Sequence, residues 1–192
     1  MREVFIGILM PPSVASALAA LQARAQELVQ NRPGCEALTI SHGKSPFHLT
    51  LVSPFRTRSS EQDSRLEHKL TRFSQRHAPF TFQLELLGVL QEDTVCLLAS
   101  DRNRFTAFRA TLHSDLGHPI LRPQFFPHVS VARKFPAERF TDVRDACAQA
   151  YCEQSAALKL SVSCSGLTVF GKQQDVWQAE TSYHLGGKQL VA

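Results

Sequence analysis

Apolar residues recur along this chain in two rhythms, short continuous or alternating runs and longer stretches spaced by three and four, and the two kinds follow one another with few gaps. Residues 4–10 (VFIGILM) are continuously apolar, as in a buried strand, and Pro11-Pro12 closes the run. Ser13 then stands where it can cap a helix whose apolar positions Val14, Leu18, Leu21, Ala25 and Leu28 share one face, ended by Arg32-Pro33-Gly34. Residues 47–53 form the next predicted strand. Ser53-Pro54 stops it, because proline offers no ladder donor. A helix over 60–77 follows, with Leu66, Leu70 and Phe73 as its stripe and Ser59 and Gln62 at capping-box spacing. Residues 80–90 and 94–100 read as a β-hairpin around Gln91-Glu92-Asp93, and a third helix carries Phe105, Phe108, Leu112 and Leu116.

From there the order repeats. The segment HVSVARKF after Phe126-Pro127 is another β-run, a helix with Phe140, Val143, Cys147 and Tyr151 comes next, and residues 158–170 and 176–185 are predicted to form a second long hairpin. Helix, histidine strand, helix, hairpin therefore occurs twice, as a match of element order and not of letters. No Gly/Ser-rich linker separates the halves, so residues 1–192 are expected to form one domain.

The two histidine strands carry the candidate chemistry. Side chains alternate faces along a strand, so in HLTL the imidazole of His48 and the hydroxyl of Thr50 share one face while Leu49 and Leu51 take the other. HVSV repeats the arrangement with His128 and Ser130. Each strand thus presents an imidazole and a hydroxyl about 7 Å apart at the backbone. The alternative is that each histidine is a core-edge residue bonded to a neighbouring hydroxyl. Both matches, however, follow a proline next to an aromatic residue and occupy the same slot in the repeated order, and the other six histidines lack the pattern.

Composition narrows the setting without naming a reaction. The formal charge of +4 permits an anionic ligand, and Lys and Arg are scattered rather than clustered. Five cysteines with no Cys-x-x-Cys suggest neither a disulfide framework nor a zinc ribbon, and they read as buried small hydrophobes in a reduced cytoplasmic protein. The seven-residue apolar opening has no basic region before it and no cleavage site behind it, and no apolar stretch approaches a membrane span. A monomer outside the membrane is expected. Lys44, Arg56 and Arg58 flank the first histidine strand as solvated charge or as a basic mouth for an RNA end. Phe47, Phe55, Phe125 and Phe126 bracket the motifs as core residues or as platforms for a nucleobase. Gly186-Gly187 has no helix after it and is not read as a phosphate loop.

PFHLTLV and FPHVSVAR resemble the paired motifs of the two-histidine (2H) phosphoesterases, the superfamily of bacterial 2′,5′-RNA ligases and cyclic phosphodiesterases. The 80-residue separation of the histidines, the chain length and the strand-Pro-Pro-helix entry suit that family, so the resemblance covers nearly the whole chain. It implies an α+β fold in which two pseudo-symmetric lobes of mainly antiparallel sheet with outer helices face each other across a cleft, one His-x-Thr/Ser strand per lobe. It also implies that His48 and His128 are the catalytic pair and that Thr50 and Ser130 bind the substrate phosphate. Arg133 stands five residues after the second histidine, where the family commonly has a substrate-binding arginine. Strict alternation would put Arg133 on the face opposite His128, so a bulge or strand end is needed to bring it round.

The residue types suit that chemistry on their own terms. Opening a cyclic phosphodiester needs a base for water and an acid for the departing ribose oxygen, and two imidazoles, one neutral and one protonated, supply both near pH 7. Hydroxyls and a guanidinium would stabilise the charge gained by the phosphoryl oxygens. No metal or other cofactor is expected, since neither strand carries carboxylates. The expected activity is a metal-independent phosphodiesterase acting on a 2′,3′-cyclic phosphate or 2′,5′-linked nucleotide at an RNA end, reversible as a 2′,5′-RNA ligase. The alternatives are a 3′-end RNA exonuclease or ADP-ribose cyclic phosphodiesterase with the same site, and a non-catalytic RNA-binding module.

Overall fold

The first apolar run becomes strand β1 (Arg2–Leu9), and the double proline opens helix α1 (Pro12–Gln30) directly. Pro11 occupies the N-cap position and Pro12 the first helical position, where a missing N–H is no loss. The cap expected at Ser13 is thus displaced, and Ser13 lies inside the helix. The chain is represented by a computed structural model that describes residues 1–90, 93–120, 124–154 and 160–186. Along α1 the buried stripe is Val14, Leu18, Leu21, Ala25 and Val29, with Val29 in place of the expected Leu28.

Strand β2 (His48–Thr57) runs through Ser53-Pro54 instead of stopping there. The register explains why. Val4 pairs with Phe55 and Ile6 with Val52, so three steps along β2 match two along β1, and the proline sits in a bulge that asks no ladder bond of it. Helix α2 (Ser60–Arg76) starts as expected: the Ser59 hydroxyl accepts the Gln62 N–H at 3.3 Å. The returning arm reaches one residue further than in a capping box, because Gln62 Oε1 accepts the N–H of Arg58 at 2.7 Å.

Strands β3 (Phe80–Leu90) and β4 (Thr94–Ala99) form the expected hairpin, closed by Leu90 opposite Thr94. Of its tip, Gln91 and Glu92 lie outside the described residues. Helix α3 (Arg102–Leu116) buries Phe105, Phe108, Leu112 and Leu116 as the periodicity predicts. Strand β5 (His128–Arg133), a short 3-10 turn (Ala137–Arg139) and helix α4 (Phe140–Gln154) follow. The last β-region departs from the expected hairpin. The run breaks at Ser165 into β6 (Leu160–Cys164) and β7 (Gly166–Gln173), and only β7 pairs with β8 (Val176–His184). Strand β6 pairs with β3 at the other end of the sheet. Leu158 and Gly187 lie outside the described residues.

All eight strands join in one sheet of order β6-β3-β4-β5-β2-β1-β7-β8, with every pairing antiparallel. The two histidine strands are its central pair. Four strands lie on each side of their junction, yet the chain halves are exchanged between the sides: the early hairpin β3–β4 joins the later strand β5. Helix α1 packs against α4, and α2 against α3. Leu49, Leu51, Val129 and Val131 point into the core that these helices share with the sheet. Burial of this face is the main source of stability, at about 25 cal/mol per Å² of apolar surface removed from water. Cys35, Cys96, Cys147 and Cys164 are buried free thiols, whereas Cys152 is exposed, contrary to expectation. No helix among the described residues is long and apolar enough to cross a membrane.

Candidate active site

Strands β2 and β5 touch through a single registered pair, Leu49 opposite Val129. In an antiparallel ladder that register puts His48 across from Ser130 and Thr50 across from His128, all four on the face away from the helices. The imidazoles then stand on diagonal neighbours, about 7–8 Å apart at the backbone, with the hydroxyls on the other diagonal. Beside His48 and Ser130 a small pocket is lined also by Val129, His42 and Phe47.

Each imidazole is held in the same way. The Nδ1 of His48 lies 2.7 Å from Pro46 O, and the Nδ1 of His128 lies 2.7 Å from Phe126 O, in both cases the carbonyl two residues earlier. A carbonyl only accepts, so Nδ1 carries the proton and Nε2 is the nitrogen left for chemistry. The neighbouring strands repeat the symmetry. Met10 N–H donates to Phe47 O at 3.0 Å and Ala99 N–H to Pro127 O at 2.9 Å, which sets Leu9 beside His48 and Leu98 beside His128.

The bulge needed for Arg133 is present. Cys96 pairs with Ser130 and Val95 with Ala132, so Val131 is an extra residue in β5, and Val131 and Ala132 are buried in succession. Alternation resumes one step out of phase, and Arg133 emerges exposed on the imidazole side. Its guanidinium makes no ion pair among the described residues, and it acts electrostatically on both histidines. Strand β2 carries the matching bulge at Leu51, between Ile6 opposite Val52 and Gly7 opposite Thr50. Both extra residues stand three places after a histidine. At the position equivalent to Arg133, β2 has Ser53, so the two strands differ in charge at this point.

The surroundings of the two imidazoles also differ. His48 rests against Phe5 and Phe170, with ring centroids 4.7 and 5.1 Å away, and Trp177 meets Phe5 edge-on. Burial pushes His48 down to about 4; the Pro46 carbonyl opposes this, and Arg133, His42 and His128 reinforce it. Among the described residues no aromatic ring packs on His128, and it too is lowered, by burial first and also by Arg133, against the pull of Phe126 O. Both imidazoles of the free protein are therefore more easily deprotonated than ordinary histidines.

Gly7 allows this packing. It pairs with Thr50, and a Cβ at that position would sit 2.6 Å from Leu49 O and 3.5 Å from Phe170 Cε2. Of the other expected neighbours, Lys44, Arg56 and Arg58 are exposed. Phe47 is buried and stacks on His42 at 3.7 Å, Phe55 tilts against His118, and Phe125 lies under Arg109. Phe126 alone of the four is exposed, with Arg102 over its ring at 4.2 Å. Sequence reasoning missed His42, which has no motif around it, and Gly7, whose role depends on how closely two strands approach.

Among the described residues no group of three or more His, Cys, Asp or Glu side chains gathers as a metal site does. An antiparallel α+β fold whose two central strands each present one tethered imidazole and one hydroxyl is the arrangement expected of the two-histidine phosphoesterases. Residues 9–175 match the 2′-5′ RNA ligase superfamily, and the chain belongs to that family. No curated protein sequence matches it. Its fold is similar to that of LigT from E. coli complexed with 3′-AMP (TM-score 0.59, 16% identity, 96% of this chain and 97% of that one). It is also similar to TT0787 of Thermus thermophilus (TM-score 0.62, 16% identity, 98% and 100%) and to Kluyveromyces marxianus Usb1 (TM-score 0.58, 15% identity, 95% and 98%).

Proposed function

We propose that this protein is a metal-independent phosphodiesterase that opens 2′,3′-cyclic phosphates or cleaves 2′,5′-linked nucleotides at RNA ends, and that the same site runs in reverse as a 2′,5′-RNA ligase. The observation that carries this reading is the mirrored pair of Nδ1–carbonyl hydrogen bonds, 2.7 Å each, which leave the Nε2 of each imidazole for chemistry on adjacent strands whose registered partners are the two hydroxyl residues. A neutral imidazole on one side of phosphorus takes the proton of the attacking water. A protonated imidazole on the other side gives its proton to the departing ribose oxygen. Which of His48 and His128 takes each part follows from substrate orientation, and reversal of the reaction exchanges them. Thr50, Ser130 and Arg133 supply donors and positive charge to the phosphoryl oxygens as charge grows on them.

Family membership supports an enzyme over a passive binding module. The LigT structures with 3′-AMP, phosphate and ATP agree with nucleotide and phosphate ligands for this fold. Two imidazoles and two hydroxyls fall short of the three protein ligands of a catalytic zinc site, so the reading assigns the histidines to proton transfer. Five free thiols fit a reducing compartment such as the cytoplasm. The test is turnover of a panel of 2′,3′-cyclic mononucleotides, 2′,5′-linked dinucleotides and 3′-oligoribonucleotide ends in EDTA. Conversion of a cyclic or 2′,5′-linked substrate is expected; activity that disappears with chelation and returns with zinc or magnesium would overturn it.

A further inference from the structure

The extra residue of each bulge leaves the regular ladder, and its carbonyl needs a donor from elsewhere. A helix supplies one in both cases. On β2, Arg109 Nε of α3 donates to Leu51 O at 3.0 Å, and His113 Nε2 lies 3.3 Å from the same oxygen. On β5, Gln22 of α1 donates from Nε2 to Val131 O at 2.8 Å. These contacts join parts of the chain 58 and 109 residues apart at equivalent points of the two strands.

Behind Gln22 stands His42. Its Nε2 lies 2.9 Å from Ser45 O and its Nδ1 lies 3.3 Å from Gln22 Nε2. The Ser45 carbonyl only accepts, so Nε2 carries the proton of the neutral ring and Nδ1 accepts the second N–H of Gln22. Every hydrogen in the row from Ser45 O through His42 and Gln22 to Val131 O then has a partner. Gln22 Oε1 also lies within 3.4 Å of His42 Nδ1, but turning the amide round would set that oxygen in the place of Nε2, facing the Val131 carbonyl, and would take the donor from Val131. The same loop closes on the strand just past the bulge, where Arg133 N–H donates to Ser41 O at 2.6 Å. Ser45 Oγ meanwhile lies 3.4 Å from His48 Nδ1. One polar row thus ties the β5 bulge to the loop that leads into the β2 histidine.

We propose that Gln22, backed by His42, is a positioning residue for anion binding: by holding Val131 O it fixes the bulge that turns Arg133 onto the imidazole face, where the guanidinium meets a phosphoryl group. The identity of that ligand rests on the phosphodiesterase reading above; the mechanical link between Gln22 and Arg133 does not. The strongest sign is that Arg133 reaches this face only because of the Val131 bulge, and Gln22 is the side chain bonded to the Val131 carbonyl.

The experiment is a double-mutant cycle read by binding of inorganic phosphate, with KM and kcat on a 2′,3′-cyclic mononucleotide measured in parallel. Gln22→Met keeps the side-chain length and removes the donor. It should weaken phosphate binding and raise KM about tenfold, with a smaller change in kcat and both limbs of the pH profile retained. Combined with Arg133→Ala it should add little to the loss that Arg133→Ala causes alone, because both act through one guanidinium. Gln22→Lys, which restores an N–H donor, should bind phosphate within about threefold of the wild type. Wild-type phosphate affinity in Gln22→Met, losses that multiply in the double mutant, or Gln22→Lys as weak as Arg133→Ala would each overturn the proposal. A wild type that binds phosphate through Gln22 and Arg133 but turns over no cyclic or 2′,5′-linked substrate would overturn the proposed reaction and leave the positioning role standing.

Discussion

Replacing Gly7 by alanine tests whether the approach of β1 to β2 sets the site. The new Cβ would lie 2.6 Å from Leu49 O, a backbone atom that no rotamer change can move away, and 3.5 Å from Phe170 Cε2. Ordinary contact begins near 3.4 Å, so the two strands must separate by about 0.8 Å at this point. Leu49 lies between His48 and Thr50 and is the residue through which β2 pairs with β5, so the displacement falls on the junction of the two histidine strands. Overpacking of this kind costs about 1–3 kcal/mol. Taking about 2 kcal/mol and a urea slope of about 2 kcal/mol per molar, the unfolding midpoint should fall by roughly 1 M. A misplacement approaching 1 Å can cost about a hundredfold in rate. Urea melts and kcat/KM on a 2′,3′-cyclic nucleotide measure the two effects together, with folded protein confirmed by circular dichroism. A Gly7→Ala protein of unchanged midpoint and turnover would show that the strands have slack at this point, and the close-approach argument would fail.

Other outcomes follow from the same geometry. His48→Ala and His128→Ala should each lower turnover about a hundredfold or more, and the double mutant should lose far less than the product of the two, because the imidazoles act as a unit; a double mutant with near wild-type turnover would remove them from the mechanism. Arg133→Ala should raise KM more than it lowers kcat if the guanidinium mainly grips the ground-state phosphate, and Arg133→Lys should recover only part of the loss; an unchanged KM would place Arg133 outside the site. Acid should destabilise the fold through His48. Its folded value of about 4 lies below the ordinary 6.5, so between those values the unfolded chain binds more protons, and the contribution present above pH 6.5 is lost as pH falls towards 4. At about 1.4 kcal/mol per unit this amounts to roughly 3 kcal/mol. Urea unfolding of wild type and His48→Phe at pH 7 and pH 4.5 should show a shallower acid loss in the variant; identical losses would mean that His48 is not the group responsible.

Much of this site can be read from the chain before any fold is known, for a physical reason: a residue's face on a strand is a local property. The alternation HLTL and HVSV determines that His48 and Thr50, and His128 and Ser130, leave the core together, and the burial along both strands follows it. Capping at Ser59 and the stripes of α2 and α3 are local in the same sense. The misses depend on partners distant in sequence. Pro54 continues a strand because it falls in a bulge where β2 spends three steps on two of β1, and no property of Ser53-Pro54 alone reveals that. The run broken at Ser165 looks like one strand of a hairpin, yet Leu160–Cys164 finds its partner in β3 at the far end of the sheet. Arg133 marks the boundary between the two cases. Its need for a bulge is visible in the count from His128, while the Gln22 bond to the bulged carbonyl is not. Gln22 and Gln26 do stand one turn apart beside the apolar stripe of α1, a weak sign of polar groups turned inward, and Gln26 binds Leu38 O and the Ile40 N–H in the loop that leads to His42.

The central claim, that two imidazoles share acid and base duties on a phosphodiester, is tested most directly by the pH dependence of kcat/KM in EDTA for the wild type and the two single histidine variants. One imidazole must be neutral while the other is protonated, so the wild-type profile should be bell-shaped. Because burial lowers both His48, to about 4, and His128, the optimum should lie on the acid side of the ordinary imidazole value of about 6.5. The two limbs belong to the coupled pair, and loss of one limb in each variant would show which histidine is the base and which the acid. A wild-type profile that rises without a break from about pH 5 to about pH 9 would leave no part for a protonated imidazole and would contradict the two-histidine mechanism.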